Sequence, residues 1–223
     1  MTYQLQLIRS LVDPATKVDQ LRFSEVIPIH LKKILLIFIL SMFLAVVRGY
    51  YGLNTAGISH LISSYSVSQF EMAKLIVAIG GLIESLFSPA IYMILISLSF
   101  WAFLDEVRYR QALVVSTISV FILIVGEVFL LPFELLLGIT AYTSPFALGI
   151  LSHFITDNLY VIHFFSQISL FLVAAIAFQI YSFSKISSNG KGFIFLLTLC
   201  AHVLLILFAV FLLYLASFLT FNY

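Results

Sequence analysis

Residues 121–139 read FILIVGEVFLLPFELLLGI. The stretch carries only two charged residues, Glu127 and Glu134, and its length matches the roughly 20 residues with which a helix crosses a bilayer. A carboxylate in hydrocarbon is expensive, so two of them call for an explanation. Seven residues at about 100° each come within roughly 20° of two full turns. Both carboxylates therefore share a face if the helix runs on, and Pro132 between them is the residue that puts its continuity in question.

The whole chain has the same character. It is 62% hydrophobic and 9% charged over 223 residues, where a soluble domain is about 45–50% apolar and about 25% charged. Such a chain has too little polar surface to coat a soluble globule, and the lipid bilayer is its expected surrounding. A net charge of +1 gives no basic footprint for nucleic acid. The single cysteine, Cys200, excludes an intrachain disulfide and a cysteine metal cluster. No metal or cofactor is expected. The first long apolar run begins only at Ile34, after a mixed-charge segment, so no cleavable signal peptide is expected.

The expected fold class is all-α, a polytopic membrane protein with five transmembrane helices and short interfacial helices. The spans are read at about 31–51, 75–104 (with Gly80, Gly81 and Pro89), 111–137, 160–183 and 192–219. Residues 1–30 form a cytoplasmic amphipathic N-terminal segment and residues 31–223 the five-span domain. Lys and Arg mark cytoplasmic segments. With the N-terminus in and the C-terminus out, Arg9, Lys17, Arg22, Lys32, Lys33, Arg108, Arg110, Lys185 and Lys191 all lie inside, nine of the eleven basic residues.

Three segments fall outside the spans. Leu5, Ile8, Leu11 and Val12 share a helical face near the N-terminus, suited to a membrane surface or a partner. In 53–73, Ile58, Leu61, Ile62 and Tyr65 follow the i, i+3, i+4, i+7 pattern of an interfacial helix. Residues 141–157 look similar after the Ser144-Pro145 turn.

Arg48, Glu84, Glu127, Glu134 and Gln167 come from four spans, and the expected orientation places all five in the outer half of the bilayer. Glu134 falls near the outer surface, within reach of headgroups, and Glu127 roughly 10 Å deeper. The functional reading is an outward polar pocket for an ion or ligand, with Arg48 offsetting a carboxylate. The structural reading is a protonated glutamate that hydrogen-bonds a neighbouring helix, and a partner-binding surface is the third reading. Gln179 and His202 are the remaining buried polar candidates, and a lone mid-span histidine more often joins helices than binds metal. Cys200 and His202, two apart, do not share a face.

Enzyme signatures are absent: there is no HExxH, no GxSxG and no P-loop. Asp105-Glu106-Val107-Arg108-Tyr109-Arg110 is a loose likeness of the Glu-Glu-x-x-x-Arg signature of CAAX-type intramembrane proteases. The expected topology puts it on the opposite side from His153 and His163, which would have to complete such a site.

The order and spacing of segments resembles the Yip family of Rab-interacting membrane proteins and its prokaryotic branch, over about residues 30–219. The resemblance is carried by the charged turn DEVRYRQAL (105–113) leading into the third span, by the FLLPFELLLG that ends it, and by the outer segment SPFALGILSHF. It continues through HFFSQISLFLVAAIAFQIYSFSK, with its lysine-bearing turn, into the final apolar span. Where family members often carry a Gly-Gly-x-Gly-type turn before span three, this chain has DEVRYR. The resemblance implies a non-enzymatic scaffold or accessory subunit for other membrane proteins, such as an ABC-type exporter or membrane-trafficking machinery. It supplies no catalytic residues. The alternative is a small transporter or channel component using the outer polar cluster. Homo-oligomerisation is compatible with either reading, and a bacterial cytoplasmic membrane is the expected location.

Overall fold

The computed structural model describes residues 2–53 and 66–221, and among them it is all-α. Two short helices, α1 (Leu7–Val12) and α2 (Pro14–Arg22), precede the long ones. Then come α3 (Leu31–Tyr51), α4 (Val67–Phe103) and α5 (Tyr109–Leu137). A 3-10 turn at Ala141–Thr143 and the single turn α6 (Gly149–Ser152) lead to α7 (Leu159–Ser166), α8 (Leu170–Ile186) and α9 (Lys191–Phe221).

Local chemistry explains the helix ends. Pro14 opens α2 where its missing N–H costs nothing, and Asp13 caps it by accepting from the Thr16 N–H at 3.2 Å. Those Thr16 hydrogen bonds hold the Asp13 carboxyl below its ordinary range. Ser66 and Gln69 form a reciprocal capping box at the start of α4. Gly52 (φ 67°) and Gly138 (φ 64°) close α3 and α5 in the left-handed conformation, which glycine adopts without a Cβ penalty.

Four helices, α3, α4, α5 and α9, are long and apolar enough to cross a membrane. Half of the most apolar stretch of α5 is buried, against 17–28% for the other three, so α5 is the axis on which α3, α4 and α8 pack. Small hydroxyl residues make this close approach workable. Ser97 and Ser116 meet Oγ to Oγ at 2.6 Å between α4 and α5. Thr117 and Ser119 donate to the carbonyls of Leu113 and Val115 one turn back, so no hydroxyl hydrogen is left without an acceptor in this interface. Farther along, Phe100 of α4 stacks on Phe183 of α8 with ring centroids 3.9 Å apart.

The expected fourth span, 160–183, is not one helix. It is divided into α7 and α8, and the break at Gln167–Ser169 has a physical cause. Ser169 adopts an extended backbone and caps α8 by accepting from the Leu172 N–H at 3.2 Å. The backbone groups on either side pair with a different segment: Leu148 N–H donates to the Ile168 carbonyl at 3.1 Å, and Leu170 N–H to the Phe146 carbonyl at 2.8 Å. At about 1.5 Å per residue, the 17 residues of α8 span about 25 Å, short of the roughly 30 Å hydrocarbon core. The 37 residues of α4 reach about 55 Å and overshoot that core.

The interfacial helix expected over 141–157 is reduced to isolated turns. Gly149 explains the compaction: a Cβ there would sit 2.7 Å from the Tyr142 carbonyl oxygen and 2.9 Å from Ser166 Cβ. Ile58, Leu61, Ile62 and Tyr65, read as one face of another such helix, lie outside the described residues, and residues 67–73 belong to α4.

The N-terminal segment is a packed unit. Tyr3, Leu5, Leu7, Val18, Leu21 and Ile27 join the main core. The start of α5 grips it: Arg108 donates to the carbonyls of Ser24 and Glu25, Arg110 to that of Ile27 at 3.1 Å, and Gln111 to that of Leu21 at 3.3 Å. The face expected to meet a membrane surface or a partner is divided. Leu7 and Ser10 are buried, while Ile8 and Val12 are 71% and 81% exposed, because the helix begins only at Leu7 and Leu5 enters the core from the extended chain before it.

Candidate functional site

The end of the bundle that holds the N-terminal unit is the basal end. The expected polar cluster lies at the opposite, far end. There α3 delivers Arg48 from its last turn and α5 delivers both glutamates. Arg48 donates Nε to Glu134 Oε2 at 2.8 Å and Nη2 to Glu134 Oε1 at 3.1 Å. Its Nη1 reaches Glu127 Oε2 at 3.0 Å. One guanidinium thus bridges two carboxylates about two turns apart on α5, which requires them to share a face. Pro132 therefore leaves the helix continuous, as α5 itself shows.

The two glutamates hold Arg48 unequally. Glu134, placed by the sequence near the surface as a headgroup contact, holds the two-bonded fork to Arg48, and its side chain is 13% exposed. Glu127, two turns farther from the end of α5, has one bond to Arg48, and its side chain is 42% exposed. The reason lies in α3. Arg48 comes from the last turn of that helix, so its guanidinium projects towards the end of α5 where Glu134 sits. Gly49 allows the close approach behind it: a Cβ there would lie 3.0 Å from Ala78 Cβ of α4.

Glu84, exposed on α4, lies within electrostatic reach of both Glu127 and Tyr142. Gln167 sits elsewhere. It falls in the break between α7 and α8, and its Nε2 faces His163 Nε2 at 3.5 Å. His163 Nδ1 in turn meets the Tyr142 hydroxyl at 3.2 Å. Burial pushes the Tyr142 phenol up, and Glu84 adds to the shift. The five expected residues thus divide into an ion-paired trio, a nearby carboxylate, and a glutamine belonging to a separate Tyr142–His163–Gln167 group. If all four ionise, one cation faces three carboxylates. This arrangement fixes α3 to α5.

Comparison of the chain with protein-family models, with curated proteins and with solved structures finds no match. Among the described residues no three His, Cys, Asp or Glu side chains gather as metal ligands would.

A second polar group, deeper in the bundle, joins α4, α8 and α9. Gln179 Nε2 donates to the Tyr92 hydroxyl at 3.0 Å. Tyr92 meets His202 Nε2 at 2.9 Å, and His202 Nδ1 meets the Thr198 carbonyl at 2.8 Å. A carbonyl can only accept, so Nδ1 carries the proton and the neutral ring accepts from Tyr92 through Nε2. All bonds then run one way, from Gln179 to Thr198. Gln179 Oε1 remains buried without a partner. The expectation that His202 joins helices agrees with this geometry, and Cys200, two residues away, is exposed on another face. Tyr92 was not among the expected polar residues. A tyrosine in an apolar run gives no polar signal, and only its distance to His202 reveals its role.

Proposed function

We propose that the chain is a non-enzymatic integral membrane protein that works by binding other membrane proteins, as a scaffold or accessory subunit. The observation that supports this most is the basal unit. Residues 2–30 are clamped to α5 by Arg108, Arg110 and Gln111, yet hold Ile8, Val12 and Phe23 outward, each more than two-thirds exposed. Apolar side chains fixed on the surface of a packed unit are what a partner would cover. In this reading α7 and α8 together make the fourth of five crossings. The nine basic residues of the basal segments face the cytoplasm, and the membrane is a bacterial cytoplasmic one. The resemblance to the Yip family points the same way and suggests exporter subunits or trafficking machinery as partners.

The test is capture from native membranes in lipid particles, alongside an Ile8→Ser/Val12→Ser variant. A stoichiometric membrane protein recovered with the wild type and lost from the variant supports the scaffold. Recovery of the chain alone, together with an ion flux in proteoliposomes that Glu127→Gln abolishes, replaces it with the transporter or channel reading. One observation favours that second reading. Glu127 and nearby Glu84 bring two further carboxyl groups to an Arg48 guanidinium already forked to Glu134, at the same end as the broken α7–α8 helix.

A further inference from the structure

An open groove of about 400 Å³ lies at the basal end, between the chain at Glu25, Val26 and Ile27 and the start of α5 at Arg108, Tyr109 and Arg110. Its size falls within the roughly 300–1,000 Å³ of small-molecule sites. The geometry points to a binding site here for the phosphate of one anionic phospholipid. This rests on the membrane reading and is independent of whether the chain has a protein partner.

Three observations carry it. The first is charge. A guanidinium has five N–H donors. Arg108 spends two on the carbonyls of Ser24 and Glu25, and Arg110 one on that of Ile27. Carbonyls are neutral, so these bonds fix both side chains without cancelling their charge. Glu25 also lines the groove, so the lining holds two basic residues and one acidic one. The second is depth. Trp101, at the end of α4, packs edge-on against Tyr109 with centroids 6.2 Å apart, and both rings are partly exposed. Tryptophan and tyrosine collect at the headgroup level, so the groove opens where phospholipid phosphates lie. The third is the rim. Val26 lines the groove and is 54% exposed, and Ile29 and Leu31, a few residues farther along the same segment, are also more than half exposed, apolar surface suited to the glycerol and upper acyl chain. Basic pockets at the membrane surface that hold lipid headgroups combine these same features.

Lipid adducts can be counted by native mass spectrometry of the purified chain in detergent. Phosphatidylglycerol and phosphatidylcholine with identical acyl chains are the two probes. The expected result is one phosphatidylglycerol retained at several-fold higher occupancy than phosphatidylcholine. Arg110→Gln should bring it down to the phosphatidylcholine level. Arg110→Lys should keep part of the preference, and Lys191→Gln, also basal but outside the groove, should keep all of it. Inorganic phosphate should not displace the lipid. Equal occupancy of the two lipids in the wild-type chain overturns the site whatever the variants do. An equal loss in Lys191→Gln reduces it to diffuse basic charge, and displacement by inorganic phosphate makes it a free-anion site instead.

Discussion

Arg48 and Glu134 form a two-bonded fork, Nε to Oε2 at 2.8 Å and Nη2 to Oε1 at 3.1 Å, that ties the last turn of α3 to the last turns of α5. The third guanidinium nitrogen reaches Glu127 at 3.0 Å. The paired geometry makes the three residues unequal. Removing the shared cation leaves two facing carboxylates, and breaking a sequestered pair by taking one partner costs about 3–5 kcal/mol. The cluster is partly open, so Arg48→Met should fall at or below the lower end of that range. Glu134→Gln should cost less, and Glu127→Gln least, about 1 kcal/mol or under. The double variant Arg48→Met/Glu134→Gln should recover part of the loss of Arg48→Met, because it removes an orphaned charge. Unfolding in detergent micelles gives the order, and a larger effect at Glu127 than at Glu134 contradicts it.

The Gln179–Tyr92–His202 chain makes a sharper contrast. Tyr92→Phe strips a donor from His202 and an acceptor from Gln179 in one step, leaving two buried polar groups without partners. Each such group costs about 1–3 kcal/mol in a protein interior, although bonds between membrane helices average nearer 0.6 kcal/mol. Gln179→Met behaves differently. It removes one donor but also the Oε1 that already has no partner, and its volume is similar. Gln179→Met is therefore expected to destabilise less than Tyr92→Phe, and to lie close to neutral. The same denaturation assay separates the two, and the reverse ranking would mean that Oε1 is satisfied in the folded protein.

These two clusters mark how far the sequence can be read. Apolar run length and the distribution of lysine and arginine give α3, α4, α5 and α9 within a few residues at most boundaries, because hydrocarbon thickness imposes a length on any crossing helix. The seven-residue spacing of Glu127 and Glu134 gives their shared face. It does not give which glutamate Arg48 prefers, since that depends on where α3 ends against α5. Gln167 was grouped with them by depth alone, and depth cannot register a helix break. The only local hint of that break is Ser169, a good cap residue within an apolar run. The docking of residues 2–30 was hidden for a similar reason. Arg108 and Arg110 read as orienting charges, while their bonds go to backbone carbonyls, which carry no sequence signature.

Gly126 tests the packing around the break. A Cβ on Gly126 would lie 2.4 Å from Phe171 Cγ and 2.6 Å from its Cδ2, well inside contact distance. Phe171 is held in turn by Phe129, whose ring also meets Phe133 and Phe146. The Phe171 ring therefore has little room to retreat. Gly126→Ala should cost about 1–3 kcal/mol as overpacking, even though alanine is the better helix former. Combining it with Phe171→Leu should cost less than the two single changes added together. Strict additivity in a double-mutant cycle would show that the two residues do not touch.

His30 gives the docked N-terminal unit a pH dependence of definite sign. Its Nε2 accepts from the Leu5 N–H at 3.1 Å, which the ring can do only when that nitrogen is unprotonated. Tyr3 packs edge-on against the ring at 6.1 Å. Burial lowers the His30 pKa from 6.5, and the charge of Lys33 lowers it further, while Arg110 lines the same small cavity from α5. The undocked segment therefore binds more protons than the docked one between the two pKa values. Docking strength from His30 is complete above pH 6.5 and falls as pH drops through the lowered folded-state value. The Tyr3 phenol, pushed up to about 12 by burial, stays neutral throughout. Hydrogen exchange at the Leu5 amide, corrected for the intrinsic rate, should show protection at pH 7.5 that weakens towards pH 5. A His30→Leu chain should lack that protection at both pH values. If protection in the wild type is the same at pH 5 and 7.5, the His30 ring does not hold the segment.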